Sequence, residues 1–414
     1  MEKRVMILGA GFEFCGLVEK AKKMGCYTVV CDGYPDAPAK ALADKAYTID
    51  VRHIDEIAEI CKKERIDNVV ASFSDILFEC MIKISAKAGL PCYVEPKMLP
   101  AYREKTITKS ICEKVGVKVP KFTQLKADFT DDQIQDFKFP CVIKPVDGYG
   151  SRGLSVVHSI DEVRERFAAA DVFQQGTVLL EEYSRGQELN VMGFVVDGKV
   201  RILSVADRNT QIIWDNYIPV LYDVSYPSKF FDIVYDKVED ALNKFVSYTG
   251  QRSGPIATQC FWTGEEIEIC EIAGRFFGLE HELVEYNNGL DIEQLLLDHR
   301  YAPERVAAQL KHHNAKGLHC STGVYVNTIS EGIVCNQESV FDLAKLPAVK
   351  EFVPFYKVGD KVGRFGPKQY AVRYYLVANS SEEIDATERK ILREINIQGE
   401  HGENLLWIPV LRHE

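Results

Sequence analysis

Cys141-Val142-Ile143-Lys144-Pro145-Val146-Asp147-Gly148-Tyr149-Gly150-Ser151-Arg152-Gly153 is the stretch on which the fold turns. A short apolar run delivers a lysine, glycines and a hydroxyl follow, and a second apolar run returns from Leu154 to Val157. Gly148, Gly150, Ser151, Arg152 and Gly153 make a turn whose backbone N–H groups can face phosphate oxygens, with Lys144 adding a point charge. Lys144 precedes the glycines and no helical pattern follows them, so this is not a Walker loop. The bland alternative is an ordinary hairpin. In either case the strand-end lysine is expected to be exposed and to matter little for stability.

Downstream, Val178-Leu179-Leu180-Glu181-Glu182-Tyr183-Ser184-Arg185-Gly186-Gln187-Glu188 runs an apolar strand into two carboxylates and a glycine-softened turn with a third. An extended backbone there can read adenine, and a carboxylate such as Glu188 can hold ribose hydroxyls; alone, an acidic strand end is merely solvated. Further on comes Glu266-Ile267-Glu268-Ile269-Cys270-Glu271-Ile272-Ala273-Gly274-Arg275. Strict two-residue alternation puts Glu271 on the face of Ile267, Ile269 and Ala273. A carboxylate on an apolar face needs a cation, supplied either by Arg275 as an ion pair or by Mg²⁺. On the neighbouring strand, Gln259 shares a face with Ala257 and Phe261 and could add an amide oxygen.

Upstream, the first hundred residues alternate apolar strands (Val5 to Leu8, Thr28 to Cys31, Asn68 to Ala71) with amphipathic helices, the pattern of βαβ units. Gly9-Ala10-Gly11, Gly16 and Asp32 resemble a dinucleotide fingerprint, but the third glycine comes two residues late and Phe12 and Phe14 crowd the turn. A helix carrying Ile107, Ile111 and Val115 ends at Gly116, and a long one carrying Phe230, Ile233, Val234, Val238, Leu242 and Phe245 ends at Gly250. Strands Pro255 to Trp262 and Glu266 to Ala273 flank a Thr263-Gly264 turn. Ser159 to Glu162 reads as a capping box, and Glu382 to Glu394 as a helix.

With 414 residues the chain suits two or three domains, and a formal net charge of -11 argues against nucleic acid as a partner. No apolar run approaches the roughly 20 residues of a membrane helix. The run from Val5 to Leu8 is too short for a signal peptide's core. The 12 cysteines include no C-x-x-C pair, which fits reduced thiols in a cytoplasmic chain.

Taken in order, these segments resemble the ATP-grasp superfamily, and within it the biotin carboxylase, L-amino-acid ligase and carbamoyl-phosphate-synthetase-like branch. The resemblance implies an α/β and α+β architecture: a Rossmann-like pre-ATP-grasp domain over 1–100, an ATP-grasp domain over 101–315 with its lid over about 121–190, and a C-terminal extension over 316–414. It implies that Lys105 and Lys144 are the two nucleotide-binding lysines and that Gly148 to Gly153 is the phosphate-covering loop. Glu181, Glu182 and Ser184 would form the adenine hinge, with Glu188 the ribose carboxylate. Glu271 and Arg275 fall on the E-x-N-x-R metal and acyl-phosphate motif, Gln259 takes the place of the second metal ligand, and Arg208 that of a basic residue near the γ-phosphate. Two departures stand out: Gln259 is neutral, and Ala273 replaces the motif's asparagine.

The resemblance implies ATP with Mg²⁺ or Mn²⁺ as cofactors, and small carboxylate and amine substrates joined through an acyl phosphate with release of ADP; a homodimer is compatible with it. Lys144, Arg208 and Arg275 would be the catalytic cations. The rivals are a bicarbonate-activating or carbamoyl-phosphate-type enzyme and a silent ATP-binding module. Trp214, His281 and Tyr286 are candidates for the acceptor pocket.

Overall fold

The computed structural model describes residues 2–146, 153–212, 219–278, 280–363 and 370–410. In the N-terminal part, β1 (Arg4–Leu8), β2 (Tyr27–Asp32), β3 (Lys45–Thr48) and β4 (Asn68–Val70) form a parallel sheet in the order β3-β2-β1-β4. The helices α1 (Cys15–Lys23), α2 (Ile54–Lys63) and α3 (Asp75–Ala88) cover it. Strands buried on both faces explain why β1 reads as a continuous apolar run. Asp32 turns back on its own loop, accepting hydrogen bonds from the Ala10 and Tyr34 backbone N–H groups at 2.9 and 2.7 Å. It is thereby spent on the turn, as the misplaced third glycine suggested.

Two helices, α4 (Leu99–Arg103) and α5 (Lys105–Lys114), lead to a second, antiparallel sheet. It comprises β5 (Phe122–Lys126), β6 (Cys141–Pro145), β7 (Ser155–Val157) and β8 (Thr177–Glu182), in the order β5-β8-β6-β7, with α6 (Ile160–Ala170) packed on one face. Ser159 caps α6 by accepting the Glu162 N–H at 3.2 Å, but Glu162 reaches back to the N–H of His158 and not to that of Ser159. Leu125, Ile143, Val163, Phe167 and Leu180 give this unit a core of its own.

Among the described residues the third sheet is antiparallel and has nine strands. Its members are β9 (Gln187–Val196), β10 (Lys199–Gln211), β11 (Val220–Tyr226), β12 (Gly254–Trp262), β13 (Ile267–Ala273), β14 (Cys320–Thr328) and three later strands. Between them run α7 (Phe231–Thr249), α8 (His281–Asn288), α9 (Ile292–Tyr301) and α10 (Pro303–Lys311). After β14 a ribbon pairs β15 (Gly332–Ile333) with β17 (Lys361–Val362); α11 (Glu338–Leu343), β16 (Val349–Pro354), β18 (Val372–Ala378), α12 (Ser381–Glu394) and β19 (Leu406–Trp407) complete the chain. The strand order is β13-β12-β9-β10-β11-β14-β18-β16, with β19 on β14. No break in the sheet falls at residue 315: β14 pairs β11 directly, so strands of 316–414 extend the central sheet.

One apolar cluster runs from Met6 and Val29 through Phe78 to Val191, Leu242 and Ile269, and so fastens the N-terminal unit to the central sheet. Burying side chains of this size contributes about 1.5–3 kcal/mol each. Among the described residues no helix is long and apolar enough to cross a membrane.

Candidate active site

Between the small antiparallel sheet and the central one lies a cavity of about 530 Å³. Its hinge is the connection from β8 to β9, residues 183–186. Gly186 is needed there because a Cβ would stand 2.7 Å from the backbone oxygen of Trp262 on β12. The size suits a nucleotide-scale ligand.

Lys144 reaches the cavity from β6 and is buried, at 7% exposure, contrary to the exposed strand end expected from sequence. Its Nζ lies 2.8 Å from Oε2 of Glu181 on β8, while the buried Lys109 of α5 approaches Oε1 of the same carboxylate at 3.3 Å. Burial disfavours the charged Lys144, yet Glu181 outweighs it and holds the lysine above its ordinary value. Burial likewise opposes the Glu181 charge, and Lys109 and Lys144 overcome it and depress the carboxyl. Two ammonium groups thus share one carboxylate, leaving positive charge for an anion to neutralise. Lys105 lies in the same field, with burial lowering its pKa against the attraction of Glu271. Lys109, one helical turn from Lys105, carries no motif signal and was invisible to the sequence reading.

On the opposite wall, Glu188 accepts hydrogen bonds from Gln259 Nε2 at 2.6 Å and from Arg208 Nη1 at 2.7 Å. Gln259 and Glu271 are cross-strand neighbours, and the register slips just beyond them, so that Cys260 pairs Ile269. This bulge at Cys270 corrects the expected alternation: Ile272, and not Glu271, joins Ile267 and Ile269 in the core. Glu271 is half-buried, within the electrostatic reach of Lys105, Lys144 and Arg275. Cys270 lines the cavity, its thiol pushed up to about 11 by burial.

The partner of Arg275 is neither Glu271 nor solvent. Its Nε donates to Asp75 Oδ1 at 2.8 Å, and its Nη1 to the carbonyl of Phe276 at 3.1 Å. Asp75 opens α3, just beyond the carboxyl end of β4, where parallel sheets place functional groups. That topology was the one available signal for it.

Of the remaining candidates, Glu182 and Ser184 line the cavity, yet their side chains are engaged elsewhere. Glu182 accepts the Lys138 N–H at 2.9 Å, and the Ser184 hydroxyl donates to Glu268 at 2.8 Å. The hinge therefore offers backbone groups to a ligand. Gly153 adopts φ +72 beside the end of α6. Gly148, Gly150, Ser151, Arg152 and Trp214 lie outside the described residues. His281 and Tyr286 line a second cavity, of 190 Å³, between α8 and the first turn of the N-terminal unit. The His281 ring stacks on Phe73 at 4.2 Å.

Among the described residues no three His, Cys, Asp or Glu side chains gather as a metal cluster. Glu271 and Gln259 offer one carboxylate and one amide oxygen side by side. That set fits Mg²⁺, which keeps waters and phosphates among its ligands.

Residues 5–89 match a family model described as a PylC-like N-terminal domain, and residues 137–281 one described as an ATP-grasp domain. A formate-dependent phosphoribosylglycinamide formyltransferase of Mannheimia haemolytica is 26% identical over 281 residues, covering 66% of this chain and 69% of the relative. One from Sulfolobus acidocaldarius is 30% identical over 198 residues, 46% of this chain and 50% of the relative. Among solved structures, an L-amino acid ligase from Bacillus licheniformis superposes with a TM-score of 0.80 at 17% identity, covering 96% of this chain and 98% of that one. A phosphoribosylglycinamide synthetase from Anaerococcus prevotii gives 0.75 at 18%, covering 96% and 99%.

Proposed function

We infer, from the premise that this chain belongs to the ATP-grasp superfamily, that it is an ATP-dependent, ADP-forming ligase that joins a carboxylate to an amine through an acyl phosphate. The observation that carries the reading is the buried arrangement of Lys144 and Lys109 on Glu181, at the wall of a cavity also lined by Gln259, the cross-strand neighbour of Glu271. In-line transfer of a phosphoryl group asks mainly for positioning and charge neutralisation. Lys144 and Lys105 would meet the phosphates, the hinge backbone the adenine, and Glu188 the ribose, sharing its oxygens with Gln259 and Arg208. Mg²⁺, held by Glu271 and Gln259, would neutralise charge on the phosphates. Arg275 would hold the substrate carboxylate and then its acyl phosphate by a two-pronged contact. The amine next attacks the acyl carbon, and phosphate leaves with its electron pair. Retention of Lys144, Glu271 and Arg275 together favours an active enzyme over a silent nucleotide-binding module.

The test is ADP release from Mg-ATP across pairs of small carboxylates and amines. The names of the relatives make formate and a phosphoribosylated glycine amide the first pair to try. Bicarbonate alone is a separate arm. ADP release that needs both a carboxylate and an amine supports the ligase. Turnover with bicarbonate and no other carboxylate would favour a carboxylase, and ATP binding with no turnover in any arm a silent module.

A further inference from the structure

Arg275 leans on the N-terminal unit. The backbone after β13 is moulded against the N-terminal unit at Gly274, Arg275, Phe276 and Gly278, which meet the turn after β4, α3 and Tyr93 beyond it. The Tyr93 hydroxyl donates to the Gly274 carbonyl at 2.9 Å, and a Cβ on Gly274 would meet the Phe78 ring at 2.5 Å. The Phe276 N–H donates to the Ser72 hydroxyl at 3.2 Å. A Cβ on Gly278 would stand 2.7 Å from Phe73, whose own φ of +69 is one a bulky residue adopts only under constraint. That conformation carries the Phe73 ring onto His281 at 4.2 Å and 14°, closing the far end of the segment.

At the centre, Arg275 donates Nε to Asp75 and Nη1 to Phe276, as described above. One hydrogen bond from Nε and one from Nη1, on two edges of a planar guanidinium, fix both its plane and its rotation. A lysine could not be aligned in this way. We propose that Asp75, supplied by the N-terminal unit 200 residues away in sequence, is a positioning residue that sets the orientation in which Arg275 meets the reacting carboxylate and its acyl phosphate. The proposal rests on the function inferred above. It makes the N-terminal unit part of the catalytic apparatus through one carboxylate that touches neither substrate nor nucleotide.

The test uses the full-length chain with Asp75→Asn, Asp75→Ala and Asp75→Glu. Hydroxylamine serves as the acceptor, and the carboxylate is the one that supports ADP release in the screen above. Misorienting a group that contacts the reacting atoms costs about 100-fold, so Asp75→Asn is expected to lower kcat for hydroxamate by about that factor. The KM for the carboxylate should change far less, and the calorimetric Kd for ATP should stay at the wild-type value. Asp75→Glu, which keeps the charge, should recover much of the rate. If Asp75→Asn or Asp75→Ala retained kcat within about twofold, or lost it only in proportion to the unfolded fraction seen on melting, the positioning role would be wrong. Wild-type enzyme that forms hydroxamate while Asp75→Asn matches it removes this proposal alone; wild-type enzyme that forms none in any arm removes the ligase reading as well.

Discussion

Lys144 stood out in the sequence as a candidate phosphate-binding cation, and the structure puts it on the cavity wall, but its burial was not legible. A strand end followed by glycines reads as exposed, whereas α5 and β8 close over it and add Lys109 and Glu181. Stability expectations change accordingly. Removing one member of a buried ion pair costs about 3–5 kcal/mol, and because Lys109 remains on Glu181 the loss in Lys144→Ala should sit near about 3 kcal/mol. Denaturant unfolding should show this, and calorimetry a weaker Kd for ATP; unchanged affinity would remove Lys144 from the nucleotide site. The two depressed carboxyls at the site, Glu181 and Asp75, have folded pKa values below their ordinary 4.5 and 3.8. Their contribution is therefore present above those values and is lost as pH falls through the folded ones. Acid unfolding of Lys144→Ala should accordingly begin at higher pH than in wild type.

Among elements, β12 and β13 were found from their alternation and their turn, yet alternation misassigned the faces. Nothing in Ile269-Cys270-Glu271-Ile272 marks the bulge, because a register slip is decided by how the neighbouring strand pairs and not by local propensity. The bulge has a consequence for Gln259. Its amide donates to Glu188, so Gln259→Glu sets two carboxylates against each other while giving Mg²⁺ a second anionic ligand. The variant should melt below wild type in chelator and gain more from Mg-ATP than wild type does. Equal gains would argue that position 259 is not a metal ligand. Gly186 makes a second test at this scale: Gly186→Ala must shift the hinge away from Trp262, and overpacking of this kind costs about 1–3 kcal/mol. Thermal melting and ATP titration should both report it.

For the whole molecule, strand and helix patterns along the sequence anticipate a parallel sheet, then a small mixed unit, then further strands, and the structure has a parallel sheet, a small antiparallel sheet and a large central sheet in that chain order. How these units dock could not be read from the sequence, since Asp75 and Phe73 gain their meaning only from contacts made across some 200 residues of chain, to Arg275 and His281. His281 sits at that junction, between Phe73 and the carboxylates of Glu282 and Glu293. Burial opposes its charge, but those carboxylates prevail and raise it from 6.5 to about 9. A raised folded pKa gives stability that is complete below pH 6.5 and lost as pH rises through about 9. At 1.36 kcal/mol per unit, the loss across that window is at most about 3 kcal/mol. Urea unfolding at pH 6 and pH 9 should show this decline in wild type and a flatter profile in His281→Gln; parallel profiles would mean that the imidazole is neutral throughout.

The acyl phosphate is the claim on which everything else depends, and oxygen transfer tests it directly. If a carboxylate oxygen attacks the γ-phosphorus and the amine later displaces phosphate, that oxygen must leave with the phosphate. Turnover of an ¹⁸O-labelled carboxylate with Mg-ATP and the amine is expected to release ADP together with inorganic phosphate carrying one labelled oxygen per molecule. Label found in AMP, or phosphate free of label while product accumulates, would contradict the account.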